Sequence, residues 1–234
     1  YTTLAIPMFN FVLAIITSIT TSLLPILTEH HTRNNMNEFN KSFRSGAELS
    51  FFVAIPTTLF YAFYASETLA ILFEGGSVAV GAPLLALLAP SVTLITLLTL
   101  VNTALEASGS YTAPLISMSI GCGVKLFSTY LLVGNDSFAI WGAPIGTALS
   151  YVASILISII VLSRQKDALK TLFKGGIRPL CTSSLALVIL RTAKNHLFTL
   201  NKSLFSSLIT MAIFGVVYLT LSLIFGTLSL KRLK

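Results

Sequence analysis

Long apolar stretches separated by short polar ones organise this sequence. A helix needs about 20 mostly apolar residues to cross a hydrocarbon core of about 30 Å, and Gly, Pro and polar residues cut the chain into pieces of that length. The pattern predicts seven spans, near residues 4–28, 47–66, 81–107, 112–133, 139–163, 177–197 and 204–228. The sixth, IRPLCTSSLALVILRTAKNHL, has a short apolar centre and carries Arg191 and Lys194. SETLAILFEGG, between spans two and three, is amphipathic and too short to cross, which predicts an interfacial helical turn continuing from span two. The remaining polar stretches read as connections.

Composition agrees with a membrane class. Apolar residues make up 54% of the 234 and charged residues 10%, where soluble domains carry about 25% charged residues. The predicted fold class is therefore all-α, a polytopic membrane protein of about seven transmembrane helices. The formal charge of +7 does not point to nucleic acid, because the basic residues sit in connections and tail and are not interleaved with aromatics on a folded face. Cys122 and Cys181 lie in apolar stretches without CxxC or zinc spacing, which predicts two small buried side chains. HExxH, GxSxG, Walker A and GxGxxG patterns are absent, and His30, His31 and His196 lie in a loop or at a helix edge. No catalytic, metal or cofactor constellation is expected. The chain opens on Tyr1, and its first helix lacks a basic leader and a small-residue cleavage pattern, so that helix reads as a span and the chain as a fragment.

Short basic connections stay on the cytoplasmic side. The connection after span one holds Arg33, Lys41 and Arg44, and the one after span five holds Arg164, Lys166, Lys170, Lys174 and Arg178. Both are expected inside, with the KRLK tail, while the connections around Glu74 and Asn135-Asp136 are expected outside. Lys194 and Lys202 run against this scheme. An odd number of crossings puts the first residue outside and the last inside.

Four polar residues in or beside the spans are site candidates. Glu106 falls within a turn of the cytoplasmic end of span three, where it either reaches water and headgroups or takes part in binding or gating. SGSYTAP after it predicts a tight hairpin link, Gly109 taking a left-handed cap and Pro114 the first turn of span four. Lys125 stands near the middle of span four, where an ammonium facing lipid costs about 2.5 kcal/mol or more. It is expected to point inward, to pair with a carbonyl or carboxylate or to bind an anionic substrate group. Arg191 shares that cavity or snorkels to the outer surface beside Lys194, and Asn102 is a further polar group near Glu106. Pro25 is expected to end span one, and Pro56, Pro90 and Pro144 to kink spans two, three and five. Gly142 and Gly146 have the GxxxG spacing of a close helix contact.

In order, these features resemble a family. ITTSLLPILTEHHTRNNMNEFNKSF is similar to a helix ending in a Pro-x-Leu-Ser-Glu-type motif with a polar cytoplasmic helix behind it. FFVAIPTTLFYAFYASETLAILFEGG, LLALLAPSVTLITLLTLVNTALEASGSYTAPL, GVKLFSTYLLV and AIWGAPIGTALSYVASILIS resemble the helices that follow it in flippases of the multidrug/oligosaccharidyl-lipid/polysaccharide superfamily, with the stage V sporulation protein B and MurJ-type lipid II flippase groups the nearest. Glu106 and Ser108 stand where that family commonly has Gln and Gly, and Ser128 or Thr129 near its Asn.

The resemblance covers residues 1–165 and implies the C-terminal lobe of a fourteen-helix transporter. Residues 166–234 would then be a basic cytoplasmic linker and two additional helices, and the N-terminal lobe would be a missing partner. It implies alternating-access flipping of a lipid-linked oligosaccharide or peptidoglycan precursor in the bacterial plasma membrane, with lipid and the lipid-linked glycan as partners and Lys125, Asn102, Glu106 and Arg191 as cavity candidates. A cation-coupled multidrug exporter of the same superfamily and a non-transporting scaffold for wall assembly are the alternatives.

Overall fold

The computed structural model describes residues 2–73, 76–135, 138–162, 166–197 and 204–225, with backbone alone for 76, 166–171, 173, 174, 193–197 and 204–206. All regular structure among them is helical: α1 (Ala5–Thr32), α2 (Met36–Phe63), α3 (Ala65–Ala70), α4 (Gly76–Leu88), α5 (Pro90–Ala107), α6 (Thr112–Val133), α7 (Gly142–Leu162, after a 3₁₀ turn at Ala139–Trp141), α8 (Lys166–Leu197) and α9 (Leu204–Ile224). Six stretches are long and apolar enough to cross a membrane: α1, α2, Ser77–Ala107, α6, Ala139–Leu162 and Ser207–Ile224. The chain is a multi-pass membrane protein. α8, which contains the sixth predicted span, is not among the six.

The connection between α1 and α2 is far shorter than the pattern suggested, because most of the basic stretch is helix. Asn34 takes the left-handed conformation at φ 54°, and the Asn34 and Asn35 amides donate to the His31 and His30 carbonyls, closing α1. The Asn35 side chain then accepts from the Glu38 amide at 3.3 Å and caps α2. The same closure ends α5: Gly109, at φ 80°, donates to the Glu106 carbonyl and Ser110 to that of Leu105, and Pro114 lies in the first turn of α6, as the sequence predicts.

Pro25 and Pro144 depart from expectation. Pro25 lies inside α1, which continues to Thr32, so it does not end the helix. Pro56 lies inside α2. Pro90 begins α5 at a break after Ala89, and Pro144 is in the first turn of α7, where its missing N–H costs no ladder bond. The expected linker from 166 to 176 is helix, the first turns of α8. Both cysteines are exposed, not buried, because each stands on an outward helix face. Glu74, Asp136, Arg164, Lys202 and the KRLK tail lie outside the described residues, as do the side chains of Lys166, Lys170, Lys174, Lys194 and His196.

Two apolar clusters hold the bundle. One joins Leu23 and Leu27 of α1, Phe39 and Phe43 of α2, and Leu100 and Ala104 of α5. The other gathers Phe9, Phe60, Leu88, Leu190, Phe214 and Tyr218, so α8 and α9 share a core with α1 and α2. α8 runs parallel to α2: Gly175 lies beside Glu48, Gly176 beside Phe51 and Ile55, and Leu187 and Arg191 near Leu59 and Phe63. Without water, helix contacts depend on small residues and hydrogen bonds. Gly142 abuts Leu132 and Val133, and Gly146 abuts Ser128 and Thr129, so the GxxxG pair packs α7 on α6. The Ser154 hydroxyl donates to the Ser117 carbonyl at 3.0 Å beside Gly121.

Candidate translocation face

Helix α1 has two unlike faces. Ala5, Phe9, Val12, Ile16, Thr20, Leu23 and Leu27 are buried, a helical repeat that fills the core. On the opposite side Thr3, Pro7, Asn10, Ala14, Ser18, Thr21, Pro25 and Glu29 are exposed. These positions are small or polar, and Phe11, Ile15 and Ile26 are exposed beside them on the same outward side of α1. Helices α6 and α9 expose more large apolar side chains, among them Leu115, Ile116, Leu126, Phe127, Leu219 and Leu223.

The stripe also offers hydrogen-bonding groups that α1 leaves unused. Pro25 has no N–H, so the α-helical ladder cannot use the Thr21 carbonyl, four residues earlier on the same stripe. Asn10, Ser18 and Thr21 have no side-chain hydrogen bond among the described residues, whereas the neighbouring Thr17 and Ser22 donate to the Ala14 and Ile19 carbonyls. At one end Glu29 pairs with Arg33 at 2.9 Å. Arg44 and Glu48 on α2 form a part-buried pair at 2.8 Å. A helix of this kind presents donors, acceptors and a backbone oxygen to whatever lies across from it, without a cation of its own inside the apolar length.

The sequence-based site candidates are dispersed. Asn102 is buried and accepts the Ser158 hydroxyl at 3.0 Å, a tie between α5 and α7. Glu106 is half-buried in the last turn of α5, beside the capping turn. Lys125 does not point into this chain's own core: it is exposed on α6, just before Leu126 and Phe127, because the side of α6 that meets α7 is occupied by Ser117, Gly121 and Ser128, too close to admit a lysine. Arg191 stands exposed at the mouth of a separate cavity between α2 and α8. None of the four lies on the α1 stripe, which the sequence reading did not single out. Its signal was present as small and polar residues recurring every three or four positions from Thr3 to Glu29. No group of three metal-ligating side chains occurs among the described residues.

A family model described as Lipid II flippase MurJ matches residues 2–80, the segment that holds α1, α2 and α3. Among solved structures, "Lipid II flippase MurJ, inward closed conformation" superposes with a TM-score of 0.61 at 18% identity, over 94% of this chain and 47% of that one. The chain has the fold of half a MurJ. It spans about half the length of that MurJ structure, and α8 and α9 fall within the shared fold because the superposition extends over nearly the whole chain. Comparison with curated proteins finds no match. The MurJ family match covers the α1 stripe and stops near the start of α4.

Proposed function

We propose that this chain is the C-terminal part of a bacterial plasma-membrane flippase for a lipid-linked cell-wall precursor, the polar head crossing along the α1 stripe while the lipid tail stays in the bilayer. The observation that carries this reading is the stripe itself: seven exposed small or polar positions along α1, with Thr3 just before it, in the segment matched by the MurJ family. A sugar head needs hydroxyls, amides and carbonyls to exchange for water, and Asn10, Ser18, Thr21 and the freed Thr21 carbonyl are of that kind.

Lys125 belongs to the same reading. An ammonium left against hydrocarbon costs about 2.5 kcal/mol or more, and that cost supports a reading in which Lys125 is turned to the other half of the transporter, where a cation meets the precursor's phosphates. Alternating access then brings the two halves together over the stripe. The basic segment with Arg33, Lys41 and Arg44 lies in the cytoplasm, with the first residue outside and the last inside.

The test is complementation of a flippase-deficient strain by the full-length protein carrying Ser18→Leu and Thr21→Leu. Both sites are exposed, so the protein is expected at wild-type abundance in the membrane, without transport. Normal growth of that variant would remove the stripe from the route.

A further inference from the structure

Where α2 ends, it and α8 leave between them a cavity of about 360 Å³, walled by Leu59, Phe63 and Tyr64 on one side and Leu187, Val188 and Arg191 on the other. Three of its lining side chains carry polar groups: Tyr64, Ser184 and Arg191. Ser184 is turned to its own helix, donating to the Leu180 carbonyl at 2.8 Å. Arg191 is exposed at the mouth, and no carboxylate among the described residues pairs with it.

Depth identifies the surroundings of that guanidinium. Gly175 of α8 lies beside Glu48, one half of the Arg44–Glu48 pair. From Gly175 to Arg191 the helix rises about 24 Å at 1.5 Å per residue, most of a hydrocarbon core of about 30 Å. The Arg191 backbone therefore lies about 6 Å inside the edge of the core opposite the Arg44–Glu48 pair, a depth from which a snorkelling guanidinium reaches the lipid phosphates, with an apolar slot directly below it.

We propose that this cavity seats an anionic phospholipid, its phosphate held by Arg191 and the upper part of one acyl chain lying along Leu59, Phe63, Leu187 and Val188. A planar guanidinium matches a phosphate with two parallel hydrogen bonds, and the slot removes apolar chain surface from the bilayer without exposing it to water. A choline headgroup brings a fixed cation towards Arg191 and is disfavoured; a glycerol headgroup is not. The site lies on the α2–α8 side and uses no residue of the α1 stripe.

Native mass spectrometry of the detergent-purified chain, offered equal amounts of phosphatidylglycerol and phosphatidylcholine with identical acyl chains, tests this. Wild type is expected to retain phosphatidylglycerol preferentially. Arg191→Gln is expected to weaken that retention roughly tenfold and leave phosphatidylcholine unchanged. Val188→Trp, whose indole fills the mouth from an exposed position, is expected to weaken both. Circular dichroism checks that each variant keeps its helices; if Arg191→Gln loses them, Val188→Trp decides alone, and undiminished phosphatidylglycerol retention there overturns the site. Equal retention of the two lipids by wild type, or undiminished phosphatidylglycerol retention by a folded Arg191→Gln, overturns the proposal. So does displacement of phosphatidylglycerol by a lower concentration of polyprenyl phosphate, which would make the occupant an isoprenoid carrier.

Discussion

The hydroxyl of Tyr218 donates to the carbonyl of Phe52 at 2.9 Å, the carbonyl that Pro56, four residues on in α2, cannot bond. A helix from the far end of the chain thus satisfies an acceptor that a proline released. Tyr218→Phe is expected to lower stability by about 1 kcal/mol, in the range measured for hydrogen bonds between membrane helices. In a Pro56→Ala background, where the alanine's backbone amide takes over the Phe52 carbonyl, the same substitution is expected to cost much less. Thermal unfolding in detergent of the four proteins in this cycle measures the difference; equal costs in both backgrounds would disprove the link.

Pro25 makes the complementary case, since the Thr21 carbonyl it releases lies on an exposed stripe. Pro25→Ala restores the ladder bond and is expected to stabilise α1, by up to about 3 kcal/mol if the helix-interior penalty of proline applies in full. Transport is expected to fall although the protein becomes harder to unfold. Transport assays and unfolding temperatures on one preparation separate the two effects; a variant that is both more stable and fully active would show that the carbonyl has no part in the route.

Gly121 on α6 sits against the Ser154 hydroxyl of α7, and a methyl group there would meet both that oxygen and, at 3.0 Å, the Ser150 carbonyl. Gly121→Ala is expected to cost about 1–3 kcal/mol by forcing the helices apart. Adding Ser154→Ala should recover part of that loss and not all, because the Ser150 carbonyl remains. Full additivity of the two substitutions in unfolding experiments would contradict this contact.

Lys125→Leu replaces an exposed cation with a residue suited to lipid. Membrane abundance is expected to stay the same or rise while complementation is lost. Complementation at wild-type level would move Lys125 from the transport route to an incidental surface position.

The spans were legible because apolar length alone identifies a bilayer-crossing helix, and span four was read to its ends because Pro114 and Gly134 punctuate it. Hairpin closure at Gly109 was legible for the same local reason. Composition misled at the basic segments: Arg33 to Arg44 and Lys166 to Lys174 read as loops, yet helix formation needs only one apolar face, and Phe39, Phe43 and Leu172 supply it. Asn34-Asn35, the cap signal that shortens the first connection, was in plain view. The site was less legible. Lys125 was expected inward from the cost of facing lipid, and it is exposed on α6 because small residues fill the face that meets α7. The Asn102–Ser158 hydrogen bond was not legible because its two residues are distant in sequence.

The same-direction alignment of α2 and α8 has a consequence for biogenesis. Neighbours that run the same way cannot form a hairpin, so the groove on α2 that receives Gly175, Gly176 and Leu187 stays open to the bilayer while every helix between them is synthesised and inserted. That face of α2 is therefore expected to meet lipid before it meets α8, so docking of α8 exchanges one neighbour for the other.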